Sequence, residues 1–476
     1  MAAVIVEHII GLMVRYTLAM LIGFRLLGAV DTARIDAVLA GYDKPETPGC
    51  VLAAMKDGRV IHERAGGMAN LELGIPLTRR SVFEIASASK TFTALAVLLL
   101  ERDGKLSLDD SIAKFVPGLP EYGRRITIRH LLGHTSGLRD APTLLALTGR
   151  TYDDTTDWPE LLALISRQKE LNFQPGQAAA YSNTGYLLAA QIVRQASGKS
   201  LRQFADERIF GPLGMKDTHY IDDRRELIPR RASGYSPEGE GRFSNNNSGA
   251  VDMTGAAGVH TTLEDMERWE TAFFDTESSF APLIARMQRA ATLDNGQPAA
   301  MKGIPVEFGL GLWRERWGNR QIVEQSGIWG GYRSGIYRIP DERFSVICLC
   351  NRSDPDPERI TRQVAEVCYP VVKEEPRAPA KPSDAAKTTE PAVRMEELRA
   401  LEGNYRSEEL DAVYRLTVRD GKLHAEAGHI DWPLTPESKD RFRDGQIVFT
   451  TTPQGLILEL ENPLFAIHHL HLSRVP

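Results

Sequence analysis

Ser87-Ala88-Ser89-Lys90 places a hydroxyl and an amine three residues apart at the start of an apolar stretch, SVFEIASASKTFTALAVLLLERDGK. Phe92, Leu95, Ala96 and Leu99 recur at helical spacing and Asp103-Gly104 ends the run, so a buried helix is predicted here. Positions i and i+3 of a helix share a face, which would bring Ser87 and Lys90 together. A serine hydroxyl is a weak nucleophile that needs a base beside it. A lysine stripped of water gives up its proton more readily and can be that base. The helix start would also favour negative charge at Ser87. Taken alone, the pattern more often marks an N-cap serine followed by a solvent-facing lysine.

Two further groups suit the same chemistry. Tyr181-Ser182-Asn183 follows the turn Gln174-Pro175-Gly176. A phenol can shuttle protons if a nearby cation lowers its pKa, and an asparagine can hold both an amine and a substrate amide by hydrogen bonds. Gln325-Ser326-Gly327 opens a late series of strands. A strand beside the nucleophile can offer a backbone N–H to an oxyanion; Gly327 would let a substrate approach closely, and the N–H of Ile328 would pair with that of Ser87.

The elements that must position these residues are legible in outline. CVLAAMK and RVIHERAG flank Asp57-Gly58, the signature of a type I′ hairpin. Residues 105–270 read as mostly helical with frequent Pro and Gly breaks. Strand character returns in QIVEQSGIWGG, YRSGIYRIP and RFSVICLCN, an antiparallel meander closed by the helix PERITRQVAEVCYPVV. Strand-rich ends around a helical block argue for an α/β domain with a helical subdomain. Residues 373–395, rich in Pro, Ala and charge, read as a linker. Beyond it, turns at Asp420-Gly421 and Asp444-Gly445 separate about eight short strands, which suggests a small barrel or sandwich over 396–476.

Order and spacing of the three motifs resemble the serine β-lactamase and penicillin-binding protein superfamily, on its class C and D-aminopeptidase side. ITIRHLLGHTSGL at 126–138, QPGQAAAYSNTGYLLAAQIV, IFGPLGMKDT and AAGVHTTLEDMERW look like family segments, and EFGLGLW does so more loosely. The resemblance covers about residues 31–372. It implies a three-layer α/β/α fold with an antiparallel sheet and a helical subdomain. It also implies Ser87 as nucleophile, Lys90 as its base, Tyr181 as proton relay to the leaving group and Asn183 as a substrate ligand. Amide or ester hydrolysis through an acyl-enzyme follows, on D-amino-acid peptides, β-lactam-like compounds or related small molecules, with no metal and no cofactor. A carboxylesterase and a non-turnover penicillin-binding or sensing protein are the alternatives. D-aminopeptidase-like proteins also carry C-terminal barrels, so residues 396–476 are expected to pack near the cleft and restrict substrate length.

One departure matters. The third motif usually begins with Lys or His, and here it begins with Gln325, which carries no charge. A cation there helps hold a substrate carboxylate. Either the substrate lacks that carboxylate or Arg333 supplies the charge.

Bulk properties narrow the rest. The chain has 476 residues, enough for two or three domains, and its 42% hydrophobic and 25% charged content is that of a globular protein. A net charge of −6 without a long basic run disfavours nucleic acid as a partner. Cys50, Cys348, Cys350 and Cys368 form no CxxC pair and no disulfide framework, and are read as small buried core residues. His468, His469 and His471 are read as barrel residues rather than metal ligands, and His134 as a structural residue of its loop. G-x-S-x-G, H-E-x-x-H, Walker A and G-x-G-x-x-G patterns are absent. Residues 1–30 are mostly apolar but broken by Arg15 and Arg25. A leader is the first reading, which implies a periplasmic or secreted protein; a poor membrane anchor and a non-native extension are the others.

Overall fold

The computed structural model describes residues 31–150, 154–247, 251–301, 303–370, 393–462 and 464–475. The leader or anchor expected over 1–30 and most of the linker expected over 373–395 lie outside the described residues. Among the described residues no helix is long and apolar enough to cross a membrane.

Seven strands form the central antiparallel sheet: β1 (Cys50–Lys56), β2 (Arg59–Gly66), β3 (Glu307–Phe308), β4 (Trp313–Trp317), β5 (Arg320–Trp329), β6 (Tyr332–Ile339) and β7 (Phe344–Cys350). Their order is β3-β4-β5-β6-β7-β1-β2. The hairpin β1–β2 turns at Asp57 and Gly58, both with positive φ (51° and 73°), as the Asp-Gly pair predicts. The N-terminal hairpin joins the late meander because β1 pairs with β7 over a full register, Cys50↔Cys350 to Lys56↔Phe344.

Helices cover both faces. Period-two alternation sends Leu52 and Ala54 of β1 to one side and Val51, Ala53 and Met55 to the other. The first set packs with α1 (Thr32–Leu39) and α7 (Pro357–Cys368) through Ile35, Leu39, Ile360 and Val364. The second set joins a larger core with α2 (Lys90–Arg102), α5 (Asn183–Ser197) and α6 (Leu263–Phe273). Helix α2 is buried from Lys90 to Leu100, in keeping with its apolar circumference. The three-layer α/β/α arrangement with a helical subdomain is therefore present.

The C-terminal strands close into an eight-stranded barrel: β8 (Gly403–Ser407), β9 (Ala412–Arg419), β10 (Lys422–Ala427), β11 (Ile430–Ser438), β12 (Arg441–Asp444), β13 (Ile447–Thr452), β14 (Gly455–Leu460) and β15 (Ile467–Val475). Closure by β8–β15 pairing removes the exposed sheet edges. Tyr414, Trp432 and Phe449 fill part of the interior. The barrel rests on α3 (Ala141–Leu147) and α4 (Trp158–Arg167) of the helical subdomain. Tyr414 donates its hydroxyl hydrogen to the Leu147 carbonyl, and Leu144 and Leu147 share one apolar core with Tyr414, Leu416 and Leu423. Gly149 has φ +81°, and a Cβ there would lie 2.0 Å from the Ala427 carbonyl, so only glycine lets the two backbones cross.

The cysteines depart from the reading as separate core residues. Cys50 and Cys350 face each other across β1–β7 and are joined by a disulfide, whereas Cys348 and Cys368 are free. A pairing across 300 residues depends on strand register, which spacing in the sequence does not disclose.

Candidate active site

Ser87 lies in a single 3₁₀ turn, Ala86–Ser89, that runs directly into α2. Ala86, just before it, holds φ +49°, a left-handed conformation that a residue with a Cβ adopts only when its surroundings impose it. Those surroundings are tight: the Ile85 N–H donates to the Val259 carbonyl, and Ser334 Oγ donates to the Ile85 carbonyl. A Cβ on Gly327 would come within 2.2 Å of that same carbonyl. Gly327 thus lets β5 run against the Ser87 turn; what it admits is the Ile85 backbone, whereas the sequence reading gave the space to a substrate.

Two side chains converge on the Ser87 hydroxyl. Lys90 Nζ is 3.0 Å from Ser87 Oγ, and the Tyr181 hydroxyl donates to Ser87 Oγ at 2.7 Å. Lys90 Nζ also donates to Asn183 Oδ1 at 2.8 Å and to the Ala256 carbonyl at 2.7 Å. Ser87, Lys90, Tyr181 and Asn183 are therefore together, the last two brought in by the start of α5 in the helical subdomain.

Burial sets the electrostatics. Desolvation lowers the Lys90 amine to about 7, and the Asp140 carboxylate opposes this only in part. Burial pushes the Tyr181 phenol well above its ordinary range, against the hydrogen bond to Ser87. Near neutral pH the site therefore holds a protonated phenol and an amine near half-deprotonation. A neutral amine has two N–H bonds and one lone pair. Asn183 Oδ1 and the Ala256 carbonyl take the two hydrogens, which leaves the lone pair for the Ser87 hydroxyl.

Gln325 is 1% exposed and does not replace the missing cation. Its Nε2 donates to the Ser87 carbonyl at 2.9 Å, and its Oε1 is buried with no hydrogen-bond partner among the described residues. It braces the backbone of Ser87. Arg333 commits one guanidinium nitrogen to the turn it follows, Nη1 donating to the carbonyls of Gly330 (3.0 Å) and Tyr332 (2.7 Å). Ile328 keeps its side chain exposed on β5, opposite Arg333 of β6. Strand β4 pairs with β5 only as far as Glu324, so beyond that point the β5 edge facing the nucleophile is not covered by β4.

Several site residues escaped the sequence reading. Asp140 reads as an N-cap, and it does accept the Thr143 N–H at 3.2 Å. Its other oxygen accepts the Asn183 N–H at 2.7 Å and places negative charge near Lys90. Ala256 acts through a carbonyl, which no side-chain motif reports. Trp313 and Phe465 pack on Tyr181, with ring centroids 5.9 and 5.6 Å away; Phe465 sits on the loop between β14 and β15 of the barrel.

A sheet domain, a helical subdomain and a serine–lysine–tyrosine cluster at their seam define an active-site serine hydrolase. The chain belongs to the beta-lactamase family, whose model matches residues 35–369. It is 30% identical over 421 residues to penicillin-binding protein 4* of Bacillus subtilis, covering 84% of this chain and 88% of that one. It is 31% identical over 307 residues to a D-aminopeptidase of Cereibacter sphaeroides, covering 64% of this chain but only 57% of the relative. Among solved structures, an octameric penicillin-binding protein homologue from Pyrococcus abyssi superposes with a TM-score of 0.63 at 23% identity, covering 93% of this chain and all of the other, which shows the shared fold. The protein is a β-lactamase-related hydrolase.

Proposed function

We propose that the protein hydrolyses amide or ester bonds through an acyl-enzyme on Ser87, acting on small D-amino-acid peptides, amides or related compounds. The observation that carries this reading is the satisfied Lys90 amine, whose free lone pair is left for the nucleophile. Ser87 attacks the carbonyl carbon while Lys90 takes its proton. The N–H groups of Ser87 and Ile328 hold the oxyanion. On collapse, Tyr181 gives its proton to the leaving nitrogen or oxygen, and the Lys90 ammonium restores it. A phenol held so far above its ordinary range keeps the proton until a strongly basic leaving atom demands it. Water then repeats the sequence and frees the acyl group.

Gln325 in place of a cation, together with the apolar wall of Trp313, Leu464 and Phe465, favours substrates without an essential free carboxylate. The same two features favour a carboxylesterase as the second reading. The relative named D-aminopeptidase supports amide bonds of D-amino acids as the first. The Cys50–Cys350 disulfide suits an oxidising, extracytoplasmic setting.

Intact-protein mass spectrometry after treatment with a fluorophosphonate tests the acyl-enzyme. One adduct is expected on Ser87 and none on Ser87→Ala; an adduct that survives the substitution refutes the assignment. Turnover of p-nitrophenyl esters, nitrocefin and D-alanyl amides, measured side by side, separates the two substrate readings. Turnover of esters alone favours the carboxylesterase.

A further inference from the structure

His134 lies in the segment LLGHTSGL, where sequence alone assigns it to the loop. Its surroundings give it a narrower task. Its backbone carbonyl accepts the N–H of Ala180 at 3.0 Å, and its ring Nδ1 accepts the N–H of Ser182 at 3.1 Å. The two residues that flank Tyr181 are thus both tied to His134. The imidazole also lies against the phenol itself, with centroids 4.7 Å apart and planes at 26°. Phe308 and Tyr186 pack on the same imidazole at 4.7 and 5.2 Å. The residue holds φ +56°, a left-handed conformation unusual for a side chain with a Cβ, and it is 3% exposed.

We propose that His134 is the positioning residue for Tyr181: it clamps the backbone on either side of the tyrosine and stacks on its ring, and so aims the phenolic proton at the leaving group. The proposal rests on the reading of Tyr181 as proton donor. His134 is not a second base for Ser87, because its acceptor nitrogen is spent on the Ser182 N–H. Burial, and then the nearby Lys90 charge, hold the imidazole neutral far below its usual range. With Nδ1 as acceptor the ring proton sits on Nε2. The charged and titratable groups around this cluster are Lys90, Asp140, Tyr181 and Tyr186.

A misaimed proton donor has a signature that a merely weakened fold lacks. p-Nitrophenolate departs from the tetrahedral intermediate without protonation, whereas an amine or an alkoxide does not. Substrates sharing one acyl group, one a p-nitrophenyl ester and one an amide or methyl ester, therefore report the aim of Tyr181. His134→Asn keeps a short polar side chain and removes the stacked ring. It is expected to lower kcat/KM, which reports acylation alone, on the amide or methyl ester by about tenfold or more, a fraction of the 10²–10⁴ that a positioned general acid supplies. For the p-nitrophenyl ester kcat/KM should change by less than about threefold, because release of the shared acyl group, which protonates the Ser87 alkoxide, does not enter that ratio.

Equal losses on both substrates, or none on either, overturn the proposal. Where His134→Asn melts below the assay temperature, His134→Phe retains a ring and removes the acceptor for Ser182, and the same split is required of it. Tyr181→Phe is the reference for complete loss of the donor. If Tyr181→Phe shows no leaving-group split, the reading of Tyr181 fails and the proposal falls with it. If that variant shows the split and the His134 variants do not, only the role of His134 falls.

Discussion

Phe465 of the barrel stands edge-on to Tyr181 of the catalytic domain, with ring centroids 5.6 Å apart and planes at 80°. The loop that carries it is fastened from both sides. Asn172 donates through Nδ2 to the Ala466 carbonyl at 2.7 Å and accepts the His468 N–H at 3.1 Å through Oδ1. Asn462 Oδ1 accepts the N–H groups of Leu464 and Phe465. A barrel residue therefore borders the phenol proposed as proton donor. Phe465→Ala is expected to raise kcat/KM for long peptides relative to short ones by roughly tenfold, the scale set by relief of one side-chain obstruction. A chain-length series measures it, and an unchanged ratio contradicts a role for the barrel in selectivity.

Gln325→Lys tests the missing cation. A lysine at this position places positive charge beside the Ser87 backbone, where a substrate carboxylate can pair with it. Acylation by nitrocefin, followed by mass spectrometry, is expected to rise by about tenfold, one such charge-assisted contact being worth roughly 1.5–3 kcal/mol before its desolvation is subtracted. The added charge also repels the Lys90 ammonium, so the acid limb of ester hydrolysis moves to lower pH. No gain towards β-lactams assigns their exclusion to the Trp313 and Phe465 wall instead.

Ser87, Lys90, Tyr181 and Asn183 were legible because each is a side chain in a short motif, and because helical spacing fixes the first pair. The barrel was legible from its Asp-Gly turns and alternating strands. Asp140 was hidden because Asp-Ala-Pro-Thr is an ordinary helix start, and the residue performs that task as well. The Ala256 carbonyl carries no side-chain signal. Phe465 and the Cys50–Cys350 pair depend on how distant segments dock, and a pattern read along one chain does not contain that distance. Gln325 was noticed as a departure, but its hydrogen bond to the Ser87 carbonyl follows only from the close approach of β5 to the nucleophile turn.

The Lys90 amine, lowered to about 7, predicts the pH dependence. The amine must be unprotonated to accept the Ser87 proton, so kcat/KM for an uncharged ester should rise through an acid limb near pH 7 and level off above it. In stability the sign is the reverse of a salt-bridged lysine. An unfolded lysine keeps its proton up to about 10.4. Between about pH 7 and that value the unfolded chain binds the extra proton, so the penalty is complete below pH 7 and fades as pH rises. Chemical denaturation of the wild type and Lys90→Met at pH 7 and pH 9 measures this. The difference between the two proteins should shift in favour of the wild type at the higher pH, and a difference that does not move contradicts a depressed amine.

Arg139 and Glu409 join the barrel to the rest of the chain as a buried pair: their side chains are 0% and 3% exposed and meet at 2.6 Å. Arg139 also donates to Gln168 Oε1 at 3.0 Å and to the His468 carbonyl at 2.7 Å, while Glu409 accepts the Lys169 N–H at 2.7 Å. Glu409→Ala strands a buried guanidinium, which costs about 3–5 kcal/mol. The pair Arg139→Met with Glu409→Leu removes both charges, so it should cost less than Glu409→Ala, the remaining loss coming from the His468 carbonyl and the Lys169 N–H that give up these partners. Arg139 directly precedes Asp140, whose carboxylate holds the Asn183 N–H. The Glu409→Ala variant should therefore lose activity in denaturant before its secondary structure, because the disturbed segment leads straight to the Lys90 amine. Urea titrations followed by circular dichroism and by ester turnover give both quantities. A Glu409→Ala protein as stable as the wild type would mean that solvent reaches the pair, and the barrel would then be a loosely held appendage.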